Sequence, residues 1–332
     1  MERFFRQWKD ALQDGPAVAV ATVVNGLGSR PRKNGAQMLV KPSGQIVDTV
    51  GGGRLEADVI ACARQVLRGQ ASLLHHFDLT GQDAYQTDMI CGGAGDVLVY
   101  YSGRQDSPVL EKMLEPPELD GWLCYPVDTG EGLFFMPKEG SPLGRPELME
   151  EAQCWDKQQE LFLFQKEGRR YLAQWLKSPG KLHIMGAGHV SLEIAKIAHL
   201  AGMDCVVCDD RVELVNRERF PDARCVLLED MAIPPTIELG SKDMVAIVTR
   251  GHIWDMENLA WALNTGAGYI GMIGSRRKSG MIFDALLQQG FSKDRIRQVH
   301  APIGLDIGAQ TPQEIAVAIV AELIAFRHGK LI

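Results

Sequence analysis

Apolar residues at helical spacing open the chain. Phe4, Phe5, Trp8 and Leu12 form one stripe that ends at Asp14-Gly15-Pro16, so residues 1–13 predict a short amphipathic helix. Ala17 to Val24, a run of small and β-branched residues, predicts a strand, and AQMLVKPSGQIVDTV predicts two more joined at Pro42-Ser43-Gly44. From Arg54 to Arg68, Leu55, Val59, Cys62 and Val66 recur at helical spacing, with Gly69 as the expected stop. The segments LLHHFDL and DVLVYY predict strands on either side of a polar loop that carries MICGG.

Between residues 102 and 178, Pro- and Gly-rich turns separate the short runs GWLCYPV, GLFFMP, LFLFQ and RRYLAQWL, which predict a β-rich continuation of the first domain. Lys177-Ser178-Pro179-Gly180 is the expected boundary, giving domains 1–178 and 179–332. Beyond it strands and helices alternate: LHIM, HVSLEIAKIAHLAG, CVVCDD, MVAIVT, WDMENLAWALNTG, YIGMIG, a further helix, and a last helix from Pro312 to His328. That alternation predicts a parallel sheet with helices on both faces. The expected fold is α/β: a mixed α+β domain followed by a Rossmann-like, doubly wound parallel sheet.

Composition fits two cores, since 45% of the 332 residues are hydrophobic and 23% are charged. A formal net charge of −7 supplies no basic field for nucleic acid or an anionic membrane, so any anion site must be local. No apolar run reaches the roughly 18 residues of a membrane span, and the start is too charged for a signal peptide, so a cytoplasmic protein is expected. Seven scattered cysteines predict reduced thiols rather than a disulfide scaffold. Cys205 and Cys208 sit three apart in a strand-like run, which sends their side chains to opposite faces and makes them inert core thiols.

In the second domain, KLHIMGAGHVS runs from strand to helix through Gly186 and Gly188, the first two glycines of a dinucleotide fingerprint, with Ser191 at the third position. Asp209 and Asp210 follow roughly 20 residues later, where a carboxylate would hold ribose hydroxyls. The Rossmann fold follows from this spacing. Nucleotide binding is one use of it and a plain turn is the other, and His189 stands just inside the helix. Further polar groups gather at strand ends: Thr249-Arg250-Gly251-His252 with Asp255, Ser275-Arg276-Arg277-Lys278, and the run ending at Asp306. The stretch Ser275 to Lys278 opens a helix with three cations, a pairing suited to a phosphate or carboxylate. A metal site from His189, His252, Asp255 and Asp306 is conceivable, yet no close ligand spacing supports it.

In the first domain, Gly51, Gly52 and Gly53 lie between a strand and a helix, so the free N–H groups of that helix start are candidates to cradle an anion. The loop Gly28-Ser29-Arg30-Pro31-Arg32-Lys33 at the other end of the same hairpin brings Arg30, Arg32 and Lys33. Glu56, in the first helical turn, would steady the dipole or an arginine. Cys91, followed by Gly92 and Gly93, is a thiol that a large ligand or partner thiol could approach.

Taken in order, GSRPRKNGAQMLV, VGGGRLEADV, MICGG, GAGHVS, DDRVELVNRERFP, TRGH, YIGMIGSRRK and APIGLDIGAQTPQEIA resemble the XdhC/CoxI family, the accessory factors of molybdenum hydroxylases such as xanthine dehydrogenase. The resemblance spans nearly the whole chain. It implies a maturation chaperone rather than a catalyst: one that binds molybdenum cofactor, in molybdopterin or dinucleotide form, supports its sulfuration with a cysteine desulfurase, and delivers it to an apo molybdenum hydroxylase. On that footing Ser29, Arg30, Arg32, Lys33 and Gly51 to Gly53 would hold the cofactor's phosphate end, and Cys91 would stand near the metal or relay sulfur. A homo-oligomer, in particular a dimer, is expected. MICGG and TRGH depart from the QCCGG and THSH-like segments of members serving xanthine dehydrogenase, which points equally to another hydroxylase as client. The competing function is an NAD(P)-dependent oxidoreductase working through the Rossmann domain, a reading that leaves GSRPRK, GGG and CGG unexplained.

Overall fold

A computed structural model of the chain describes residues 2–28, 34–78, 93–115, 120–128, 130–138, 140–144, 148, 155–156, 159–229 and 237–330. These divide into two compact units, Met1–Ser178 and Pro179–Ile332.

The first unit opens with helix α1 (Glu2–Asp14), whose Phe4, Phe5, Trp8, Ala11 and Leu12 are all buried. Strands β1 (Ala17–Gly28), β2 (Gln37–Val40), β3 (Ile46–Asp48), β4 (Leu73–Asp78) and β5 (Gly93–Gly103) form an antiparallel sheet in the order β3-β2-β1-β5-β4. Side chains alternate across β1. Ala19, Ala21 and Val23 face helix α2 (Gly53–Gly69), which contributes Leu55, Val59, Ala63 and Val66 to the same core. Val18, Val20 and Val24 join the opposite core, with α1, the short helix α3 (Ser107–Met113) and a second sheet.

That second sheet is built from β6 (Gly121–Pro126), β7 (Phe134–Pro137), β8 (Leu161–Lys166) and β9 (Arg169–Leu176), in the order β7-β6-β9-β8. Two buried polar chains tie the layers together. Trp8 donates to Ser102 at 2.8 Å, and Ser102 donates to Asp106 at 2.7 Å; Gln37 donates to Tyr125 at 2.9 Å, and Tyr125 donates to Gln174 at 3.1 Å. The helix α3 and the 3-10 turn before it, Arg104–Asp106, have no counterpart among the elements predicted from the pattern, because seven residues make barely two turns of periodicity.

The second unit is a six-stranded parallel sheet, β10 (Lys181–Met185), β11 (Asp204–Asp209), β12 (Ala223–Leu227), β13 (Met244–Ile247), β14 (Tyr269–Met272) and β15 (Val299–His300), in the order β12-β11-β10-β13-β14-β15. Numbered within the unit this is 3-2-1-4-5-6, the order of a doubly wound Rossmann sheet, the fold that the alternating pattern predicts. Helices α4 (His189–Leu200) and α8 (Pro312–Arg327) share one core with the strands, while α5 (His252–Leu263) and α6 (Arg276–Gln288) share the other. A four-residue helix α7 (Lys293–Ile296) precedes β15. Cys205 lies in the first core and Cys208 in the second, so the two thiols do face opposite sides of β11, and burial pushes both up to about 12. Strands β12 and β15 escape the sequence pattern because they are the sheet's edges: β12 is only partly buried and β15 is two residues long.

Candidate functional site

Strand directions in the first unit bring the glycine corner to a defined end of the sheet. β1 and β3 end there, β4 ends there, and β2 and β5 begin there, with Gly28 paired directly to Gly93. Ser29, Arg30, Arg32, Lys33, Cys91 and Gly92 lie outside the described residues, but the strands leading to them leave the sheet side by side.

At that end β3 passes into α2 through three glycines with positive φ: Gly51 at 143°, Gly52 at 76° and Gly53 at 58°. Gly52 is the N-cap and has no side chain to cap the helix, and among the described residues a Cβ on Gly52 would meet nothing within 4 Å. Among the described residues no side chain accepts from the first-turn amides of Gly53, Arg54 and Leu55, which makes them candidates to hold an acceptor.

Thr49, which no sequence motif marks, uses the two amides just before them. Its hydroxyl accepts from Gly51 N–H at 3.0 Å and from Gly52 N–H at 3.1 Å, and donates to the Glu56 carboxylate. Glu56 therefore holds the corner's shape through Thr49. The cue that could have found it is a Thr two residues ahead of the glycines, the spacing of a side-chain-capped turn.

The glycine turn of the second unit is saturated from within. Gly186, at φ 112°, donates to Cys208 O at 2.7 Å, and a Cβ there would lie 2.4 Å from Val248 O. Ala187 N–H donates to Asp209 Oδ2 at 2.6 Å, and Arg219 donates to Ala187 O at 3.1 Å. Arg211 binds both oxygens of Asp209, each at 2.8 Å, and its own amide adds a bond to Oδ1 at 3.0 Å. Asp209, at 2% exposure, thus spends its acceptors on its own chain.

Asp210, just past the end of β11 on one side of β10, pairs at 2.7 Å with Arg250, from the loop after β13 on the other side. The pair spans the width of β10 beyond its carboxyl end, where the sheet's winding reverses. Asp210 Oδ1 is buried and accepts no hydrogen bond. Ser191 fits the third glycine position fully buried, and Gly188, the α4 N-cap, has open space around it. His189 is exposed.

Beyond β13 and β14, a third cluster forms. Asp255, fully buried in the first turn of α5, accepts from Thr249 at 2.6 Å and pairs with Lys278 of α6. Ser275 caps α6 by accepting from Lys278 N–H at 3.3 Å. His252, Ser275, Arg277 and Lys278 edge a groove of about 660 Å³ between the two helices; Arg276 does not line it. Among the described residues no group of three or more His, Cys, Asp or Glu is placed to hold a metal ion, so His189, His252, Asp255 and Asp306 are not gathered into one.

Two family matches coincide with the two units. The family described as "XdhC and CoxI family" matches residues 11–78, and "XdhC Rossmann domain" matches residues 182–323. The chain belongs to the XdhC/CoxI family. A Bacillus subtilis strain 168 relative, named as a probable xanthine dehydrogenase subunit, is 24% identical over 98% of each chain. The Escherichia coli K12 "Molybdenum cofactor insertion chaperone PaoD" is 22% identical over 96% of this XdhC/CoxI chain and 86% of its own. Escherichia coli YqeB, described as uncharacterized, is 28% identical over 94% of this chain, which spans 44% of YqeB's length. A crystal structure from Bacillus halodurans, described as a xanthine dehydrogenase, superposes with TM-score 0.78 at 25% identity, over 98% of this chain and 96% of that one. No helix among the described residues is long and apolar enough to cross a membrane.

Proposed function

We propose that the chain is an accessory factor that binds molybdenum cofactor, supports its sulfuration with a cysteine desulfurase, and delivers it to an apo molybdenum hydroxylase such as xanthine dehydrogenase. Full-length similarity to proteins named for that enzyme and for cofactor insertion supports the class of role. The observation that carries the reading to a site is the start of α2: three positive-φ glycines, a helix start that no side chain caps among the described residues, and a turn tied by hydrogen bonds through Thr49 to Glu56.

That corner fits a phosphate monoester. The amides of Gly53, Arg54 and Leu55 would take its oxygens, with Ser29, Arg30, Arg32 and Lys33 closing on it from the neighbouring strand end. Cys91, flanked by Gly92 and Gly93, would place a soft thiolate at the cofactor's metal end or carry sulfur to it. The working form would be a homodimer in the cytoplasm. The rival reading, an NAD(P)-dependent oxidoreductase, cannot use Asp209, whose oxygens already accept from Ala187 and Arg211, and would have to hold a ribose through Asp210, which is itself paired with Arg250.

Anaerobic binding, followed by pterin fluorescence and metal analysis, tests the proposal on the wild type and on the Arg30→Ala, Gly52→Ala and Cys91→Ala variants. Wild type should take up pterin and molybdenum together, and nucleotide analysis of the bound material gives the cofactor's form. Arg30→Ala should weaken uptake by roughly 1.5–3 kcal/mol, the range for a hydrogen bond to a charged group. Stoichiometric NAD(P) binding without pterin uptake would reverse the assignment, and a Cys91→Ala protein that still matures its client would remove the thiol from the mechanism.

A further inference from the structure

Helix α8 is apolar almost throughout. Of its 16 residues only Gln313, Glu314, Glu322 and Arg327 are polar, and Glu322 is buried, its carboxylate paired with His300 at 2.6 Å and accepting from Gly304 N–H. Ala316, Ile319, Val320 and Leu323 turn into the core shared with α4. The opposite face lacks the polar residues that a surface helix presents to water. Val317, Ala321 and Ile324 follow one another along it at helical spacing, and Val317 and Ile324 are 49% and 38% exposed. Leu305 N–H donates to Ala318 O at 3.1 Å, which holds the loop after β15 against this helix, and Leu305 and Ile307 are exposed there as well. Four large apolar side chains thus meet water along one helix, a cost that burial against a partner removes.

The two ends of this stripe carry opposite charge. At its start Glu314 closes a capping box with Thr311, one carboxylate oxygen accepting from the Gln310 and Thr311 amides at 2.9 Å each, so the negative charge is fixed at the helix N-terminus. At its end His328 and Lys330 are exposed, and no ion pair engages either among the described residues. At 3.6 residues per turn, Glu314, Val317, Ala321, Ile324 and His328 fall within an arc of roughly 80°. That order is self-complementary in one orientation. Laid antiparallel across a twofold axis near Ala321, two copies of α8 set Val317 of each against Ile324 of the other and bring each Glu314 to the His328 and Lys330 end of its mate, with the helix dipoles opposed. Alanine at the crossing lets the two axes approach closely. A parallel pairing would instead set Glu314 against Glu314.

We infer that the outer face of α8 is the surface through which two copies of this chain associate, antiparallel and about a twofold axis. The inference rests on the homodimer of the proposed function and gives it a surface, while asking nothing of the cofactor. The contact is built from the second unit alone, on the side of the parallel sheet that α4 and α8 cover, whereas α5 and α6 pack on the other side.

Sedimentation velocity of the full chain over a range of concentrations tests it. Wild type should run as a dimer. Val317→Glu and Ile324→Glu should each weaken association by about tenfold or more, whereas Met281→Glu, at an exposed apolar site on α6, should not. Thermal melts check folding, and Val317→Ser combined with Ile324→Ser is the milder pair if a glutamate unfolds the chain. The charges test the orientation. At low salt Glu314→Lys should weaken self-association, as should His328→Glu combined with Lys330→Glu, and mixing these two proteins should restore a one-to-one dimer because every end contact then joins opposite charges. A short bismaleimide should join Ala321→Cys copies into a covalent dimer beyond any that wild type forms. The inference is overturned if wild type is monomeric, if the Val317 and Ile324 variants associate as wild type does, or if mixing the charge variants restores nothing. A Val317→Glu protein that loses client binding but not self-association would assign the stripe to the client instead. A monomer that takes up pterin defeats this inference alone, and a dimer that takes up none defeats the cofactor reading alone.

Discussion

Asp209 accepts the amide hydrogen of Ala187 at 2.6 Å, so the carboxylate that ends β11 ties down the glycine turn of the neighbouring strand. A residue at the ribose-holding position of a dinucleotide fold is here a brace for the turn itself. Burial alone would raise its pKa, but hydrogen bonds from the Arg211 side chain and from the Ala187 and Arg211 amides outweigh burial and hold it at about 2.

Because that folded value lies below the ordinary 3.8, the stabilisation from Asp209 is complete above the ordinary value and is lost as pH falls through about 2. Asp209→Ala should destabilise the second unit by about 2–4 kcal/mol near neutral pH. Asp209→Asn should cost less and flatten the acid limb. Denaturant unfolding of wild type and the Asn variant across that range checks this, and identical acid limbs would contradict it.

Asp106 carries the opposite sign. Burial drives its pKa up to about 6 against the pull of hydrogen bonds from Ser102, Leu133 N–H and Tyr100. An acid raised in the folded state contributes most below its unfolded value of 3.8 and loses that contribution as pH rises through about 6. The stability of wild type relative to Asp106→Asn should therefore fall by about 2–3 kcal/mol between acid and neutral pH. Paired pH–stability curves measure it; a flat difference would place the proton elsewhere.

Gly186 and Gly188 should behave differently on substitution by alanine. At Gly186 the new Cβ would lie 2.4 Å from Val248 O in a left-handed backbone, so Gly186→Ala should cost about 3 kcal/mol or more. At Gly188, φ is −73° and a Cβ would meet no described residue within 4 Å, so Gly188→Ala should change stability by under about 1 kcal/mol. Thermal melts separate the two. Any NAD(P) binding that Gly188→Ala abolishes without a stability change would revive the dinucleotide reading.

Lys278→Met should leave the Asp255 carboxylate fully buried with Thr249 as its remaining side-chain donor, costing about 3–5 kcal/mol. Adding Asp255→Asn should recover much of that loss, since the second change removes the stranded charge. A double-mutant cycle by denaturant unfolding reads the coupling, and additive costs would mean that the two side chains do not act as a pair.

Much of the fold is legible in the chain's periodicity. The stripe at Phe4, Phe5, Trp8 and Leu12, and the alternating strands and helices after Lys181, correspond to observed elements because each is long enough to bury one face continuously. Strand β12 and helix α3 are not legible: an edge strand buries neither face fully, and seven residues show too little of a helical period. The motifs name a few candidate residues for the chemistry, and the family follows from their order.

What the sequence by itself determined is therefore the Rossmann-like fold, the family, and the positions of the glycine turns, since these rest on local period and on glycine's freedom at positive φ. Only the tertiary structure decided which polar groups remain open. Spacing places Asp209 at a ribose and Lys278 at a phosphate, yet the fold gives the first to Ala187 and Arg211 and the second to Asp255. It gives the Gly51 and Gly52 amides to Thr49 and, among the described residues, leaves those at the start of α2 without a side-chain cap. The physical reason is saturation: a buried donor or acceptor takes whichever partner packing brings within about 3 Å, and sequence spacing carries no record of which partner that is.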